Sequence, residues 1–251
     1  MKFKKSAASV LAAASLLIAS GAANAGVVNV GGIVWDTDSM FDFSANSTLV
    51  ENVAVDIGQT ISGWGRITTI NTEASSSFCP SGCELTYVFS GYTLLNDLTP
   101  AVGEDFFFSG GTLDFYVSAA NSVFDNPATF SDGALWLSLV GADPLGAGYT
   151  LSGSITGVSA LGVILNGEGS GFLDVVGGVA APYFDTNGQF GADFNYTSSF
   201  TPLPVAIGDK THLGSANITG DSTEVPEPGA LALLGLGLAA IGAVRRSKKN
   251  A

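Results

Sequence analysis

The single histidine, His212, sits between Thr211 and Leu213. A Ser-His-Asp site would need it as the base, because the chain has no other imidazole. No Gly-x-Ser-x-Gly turn occurs in the chain to present a nucleophile, so His212 reads as a structural residue. Paired carboxylates are the next candidates, and glycoside hydrolysis uses two acids about 5–10 Å apart. Glu104-Asp105, Asp36 with Asp38, and Glu168 are available, but none stands in a catalytic motif. With so many acids on the surface, some pairs at that spacing arise by chance. The same acids suit calcium better. Asp36-Thr37-Asp38, Asp42 and the loop Asn166-Gly167-Glu168-Gly169 offer hard oxygen ligands near turns, without reproducing an EF-hand or a nonapeptide repeat. Calcium is therefore a weak expectation, and no cofactor is expected. Trp35, Trp64 and Trp136 could stack on sugar rings if exposed together; Trp64 and Trp136 occupy positions opposite their apolar neighbours, which suggests an outward face for one or both.

Cys79 and Cys83 stand in Cys-Pro-Ser-Gly-Cys. A metal site would need further ligands, and neither another cysteine nor a nearby histidine supplies them. The intervening three residues differ from the two of the redox motif. A structural disulfide in an oxidising compartment is the expected state.

These residues must be held by strands. Leu113, Phe115, Val117 and Ala119 alternate with polar partners, as do Leu85, Tyr87 and Phe89, and Leu135, Leu137 and Leu139 alternate with Trp136 and Ser138. Phe190, Ala192, Phe194, Tyr196 and Phe200 continue the style. Period-two patterning argues for strands with one buried face. Further strands are expected at 26–35, 49–57, 60–70, 92–96, 149–156, 160–165 and 172–176. Glycine-rich turns at roughly 8–12-residue intervals suit an all-β sandwich or barrel. The fold expected is all-β, an antiparallel β-sandwich of jelly-roll-like form, with a signal helix before it and an apolar helix after it. The domains are a signal peptide at 1–25, a body at 26–212, a linker at 213–224 and a tail at 225–251.

The two ends carry addresses. Lys2, Lys4 and Lys5 precede an apolar stretch from Val10 to Ala19, and Ala23-Asn24-Ala25 gives the small-x-small pattern that signal peptidase cuts, leaving Gly26 as the new N-terminus. At the other end stand Val225-Pro226-Glu227-Pro228, then Gly229 to Val244 with no charge, then Arg245, Arg246, Lys248 and Lys249. Sixteen apolar residues span about 24 Å as a helix against a hydrocarbon core of about 30 Å, a marginal membrane span whose basic end stays in the cytoplasm. The prolines keep the preceding segment extended, where a membrane protease can grip it.

With both addresses removed, residues 26–224 hold 21 acidic and two basic residues, Arg66 and Lys210, a net charge of −19. Such a surface repels nucleic acid and anionic lipid.

The tail resembles those of the PEP-CTERM proteins of Gram-negative bacteria, on Val225-Pro226-Glu227-Pro228, Gly229 to Val244 and Arg245-Arg246. The resemblance covers about 27 of 251 residues. It implies recognition by an exosortase, transient residence in the inner membrane through the C-terminal helix, and association with exopolysaccharide and the biofilm matrix. It implies a route and no activity. The body is expected to play a non-catalytic structural or adhesive role at the cell surface or in the extracellular matrix. A lectin-like carbohydrate-binding module, with or without calcium, is the alternative, and a secreted glycoside hydrolase the third reading.

Overall fold

The computed structural model describes residues 26–40 and 42–223, and Gly26–Thr223 form one compact unit. The expected signal segment with Ala23 and Ala25 lies outside the described residues. So do the sorting residues Val225, Pro226, Glu227 and Pro228, the basic pair Arg245 and Arg246, and both segments expected as terminal helices.

The body is mostly β, with a large antiparallel sheet of ten strands and a two-stranded hairpin. The hairpin pairs β1 (Val27–Val30) with β2 (Ile33–Asp36). Gly31 and Gly32 turn it with φ of +60° and +95°, the doubly left-handed turn that only glycine enters freely. The run 26–35, expected as one strand, is therefore two.

The large sheet contains β3 (Phe43–Glu51), β4 (Thr60–Ile70), β5 (Glu73–Ala74), β6 (Cys83–Leu94), β7 (Asp105–Ala119), β8 (Ala134–Ala142), β9 (Leu151–Val158), β10 (Ile164–Gly177), β11 (Phe194–Ile207) and β12 (Lys210–Gly220). Neighbours run β12-β11-β10-β8-β7-β6-β4-β3, with β5 on β4. β8 and β9 share one position: β7 pairs with β8 over Thr112–Val117 and with β9 over Asp105–Phe108, and β10 divides its length between them in the same way. The kink in β7 that serves both falls at Gly110-Gly111; Gly111 has φ +99°, and a Cβ there would enter the ring of Tyr92.

The edge strands β3 and β12 lie side by side. Side chains join them: Asn217 Nδ2 donates to Ser44 Oγ (3.2 Å) and Asn46 Oδ1 (3.1 Å), and Ser47 Oγ donates to the Ala216 carbonyl (3.2 Å). The antiparallel all-β expectation holds, and its two facing layers are halves of one curled sheet. Curling protects both edges from pairing with other chains.

Residues 213–220, expected as linker, belong to β12, and the body runs on to Thr223, whose N–H donates to the Tyr183 carbonyl (2.7 Å). The polar run Gly214 to Thr219 reads as linker by composition because one of its faces is solvated; Ala216 and Ile218 supply the other. Proline is tolerated at 202 and 204 because no β10 residue pairs with β11 beyond Phe200.

One end of the interior is closed by aromatics from distant elements: Trp35, Phe43, Trp136, Phe184 and Phe194, with Phe43–Phe184 centroids 4.9 Å apart and Trp35–Phe184 5.1 Å. Trp136 Nε1 donates to the Val30 carbonyl (2.9 Å) and Trp35 Nε1 to Ser222 Oγ (3.2 Å), which ties the beginning and end of the body to the same plug. A second apolar cluster, around Tyr92, Leu94, Phe106, Phe108 and Ile155, fills the other end.

Candidate functional site

The tryptophans offer no sugar platform. Trp35, Trp64 and Trp136 are 3%, 8% and 1% exposed. At Trp136 the alternation fails because the β7–β8 register slips between Phe115 and Tyr116. Leu137 pairs with Phe115 and Leu135 with Tyr116, leaving Trp136 as the extra residue of a bulge that turns it inward and Leu135 outward. Trp64 does lie on the opposite face from the main core. Phe124 and Phe130 cover it, and its Nε1 donates to the Phe124 carbonyl (3.0 Å).

His212 is buried. Nδ1 meets Thr211 Oγ1 at 2.9 Å and Nε2 meets the Ile164 carbonyl at 3.2 Å, and burial pushes its pKa below the usual imidazole value. Its partners are a hydroxyl and a carbonyl, with no carboxylate among them. Cys79 and Cys83 are joined as a disulfide, Cα atoms 5.4 Å apart, closing the turn that leads from the helical segment Ser75–Phe78 into β6.

The calcium candidates divide: Asp36 and Asp38 turn their carboxylates toward Gly26, and Asn71 donates to the carbonyls of Asp36 and Asp42, while the loop of Glu168 lies apart. Asp36 Oδ1 accepts the Asp38 N–H (2.9 Å), Asp42 Oδ2 accepts the Ser222 N–H (3.2 Å), and Glu168 sits on a distant outer face. Among the described residues no three acidic, histidine or cysteine side chains gather as metal ligands. The buried acids have backbone duties: Asp193 accepts from the N–H groups of Val175, Thr186 and Asn187, and Glu84 from those of Asn121 and Ser122.

Two arrangements can take a ligand. The first is a groove of about 420 Å³ on the outer face where β7, β9, β10 and β11 meet. Pairing sets its floor in two rows, Asp105–Ser154–Glu168 and Phe107–Ser152–Ser170–Thr197. Cross-strand partners point to the same side, so the floor is built of short hydroxyls. Phe107 and Tyr149 pack at one margin with centroids 4.9 Å apart. Of the paired-acid candidates, Asp105 and Glu168 come together here, two strand spacings apart, or about 9–10 Å. Both are exposed, whereas a general acid requires a desolvated carboxyl. Glu104 points elsewhere and accepts the Thr99 N–H (2.8 Å).

The second is an interior cavity of about 90 Å³ between the two apolar plugs. Glu51 continues the inward series Phe43, Ala45, Ser47 and Leu49 of β3 and lines this cavity. Burial raises its carboxyl to about 8, and Lys210 opposes the shift without reversing it. The residue retains partial exposure, which moderates the cost of charging it. Lys210 Nζ is engaged with Ser62 Oγ (2.8 Å) and Asp209 Oδ2 (2.8 Å). Burial also pushes up the Tyr92 hydroxyl, to about 12, and holds that of Tyr196 well above its ordinary value. Tyr196 Oη is buried with no hydrogen-bond partner among the described residues. Glu51 escapes notice in the sequence; the signal for it is an acid falling on the apolar phase of a strand.

Residues 224–247 match the model of the PEP-CTERM protein-sorting motif. No curated protein and no solved structure matches the chain. The motif implies an exported protein, sorted to the cell surface and processed by an exosortase.

Proposed function

We propose that the body is a non-catalytic structural or adhesive protein of the cell surface or extracellular matrix, delivered by signal-peptidase cleavage before Gly26 and exosortase processing at Val225-Pro226-Glu227-Pro228. The observation that carries this reading is the sorting motif at 224–247, which begins at the residue after the compact body ends. The body suits the role. Its edges are closed, its termini are tied into the core, and its surface is strongly acidic, so neighbouring copies repel while remaining hydrated. The test is fractionation of the native host carrying the wild-type chain or a Pro226→Ala/Pro228→Ala double variant. Wild-type protein collects in the matrix and outer-surface fractions, and the variant stays with the inner membrane. Equal distribution of the two would remove the basis of the proposal.

A second reading, binding of extracellular polysaccharide, is favoured by the outer groove. Its hydroxyl rows can exchange hydrogen bonds with sugar hydroxyls, and Phe107 offers an apolar edge. A glycan array run with and without chelator tests it, using Ser170→Arg to block the floor. Binding that the substitution leaves unchanged would place the sugar elsewhere.

A further inference from the structure

The interior cavity sets two polar groups against otherwise apolar walls. Glu51 takes part in no side-chain hydrogen bond among the described residues and keeps part of its surface open to solvent, and Tyr196 Oη, beside the Tyr92 hydroxyl, makes no well-formed hydrogen bond. A buried hydroxyl without a full partner destabilises a fold, and Phe at position 196 would avoid that cost. Convergent polar groups in a concave apolar site are the usual mark of a ligand site.

Water satisfies the geometry poorly. The volume corresponds to about three waters at roughly 30 Å³ each, and each needs two to four polar partners. The lining is mainly apolar, so most of those waters would find few partners on the wall. A cavity of about 150 Å³ accepts benzene, so about 90 Å³ suits a molecule of roughly four non-hydrogen atoms. We infer that this cavity binds a short, uncharged, oxygen-bearing organic molecule, an alcohol or carbonyl compound, whose oxygen hydrogen-bonds to Glu51 and Tyr196 and whose carbons lie against Ile155, Ile164 and Leu151. Burial keeps the Glu51 carboxyl protonated at neutral pH, so it donates to a carbonyl or both donates to and accepts from a hydroxyl. An anion would find no counter-charge, because Lys210 is committed to Ser62 and Asp209.

The test is saturation-transfer NMR on the full chain at pH 7 with four probes of matched size: 1-propanol, acetone, propionate and propylammonium. Transfer to 1-propanol and acetone is expected, with at least fivefold less to the two ions. Ala216→Leu, which extends a side chain into the cavity, should abolish it, and Ile155→Phe serves the same purpose if the first variant does not fold. Glu51→Leu should weaken transfer to both neutral probes severalfold. Absence of transfer to the neutral probes, equal transfer to the ions, or transfer that survives cavity filling would overturn the inference. So would a crystal grown with 1-propanol whose cavity holds only ordered water. The sorting proposal does not depend on any of these outcomes.

Discussion

Replacing Glu51 by Gln should stabilise the protein, and by an amount that depends on pH. The folded carboxyl titrates near 8 because burial disfavours its charge, whereas in the unfolded chain it titrates near 4.5. Below pH 4.5 both states hold the proton and the group is neutral in its effect. Between 4.5 and 8 the unfolded state releases its proton while the folded state keeps it, so stability falls as pH rises. At about 1.4 kcal/mol per unit, the loss reaches about 3 kcal/mol at pH 7 and up to about 5 kcal/mol above pH 8; residual exposure of Glu51 makes these upper values. Gln cannot ionise, so the variant escapes the loss but keeps a buried amide. Urea unfolding of both proteins at pH 4.5, 6, 7 and 8.5 reads the difference. The curves should differ little at pH 4.5 and diverge toward pH 8.5 in favour of Gln. A difference that stays constant across the range would refute a buried, proton-holding Glu51, and with it the electrostatics assigned to the cavity.

Four further outcomes follow from the fold. Trp136→Ala empties the aromatic plug and strands the Val30 carbonyl, so it should cost about 3–5 kcal/mol in denaturant unfolding. Reduction or Cys79→Ser/Cys83→Ser opens a five-residue loop and should lower stability by about 2 kcal/mol, read as a fall in urea midpoint without loss of the far-UV strand signal. Gly111→Ala puts a Cβ into the Tyr92 ring at φ +99°, and should cost about 1–3 kcal/mol by thermal unfolding. Full activity of the sorting system on a chain whose Pro226 and Pro228 are both alanine, judged by the loss of the apolar tail on an immunoblot, would contradict the extended-segment argument.

Legibility differed by element for physical reasons. The strand 60–70 was readable because its β-branched run Ile67-Thr68-Thr69-Ile70 ends at the Asn71-Thr72 turn and its start follows the turn at Gly58. Phe190 misled: it begins the alternation seen in the sequence, yet it sits in a turn at φ +57° and is 77% exposed, and regular pairing starts only at Phe194. Trp136 was unreadable because a single inserted residue in β8 reverses its face, and a bulge depends on the partner strand's register rather than on local composition. For Trp64 the face was legible and the cover was not, since Phe124 and Phe130 arrive from about 60 residues away. The groove brings together Asp105 and Glu168 only through β9, whose place between β7 and β10 no periodicity announces. The sorting tail, by contrast, is a linear signal read along the chain by membrane machinery, and its meaning is complete before any folding.

The most direct test of the account is the mass of the mature C-terminus in protein taken from the native host. The account predicts a final residue within Val225 to Pro228, with Gly229 to Ala251 removed. Recovery of peptides that retain Arg245-Arg246, in protein held in the membrane fraction, would contradict it.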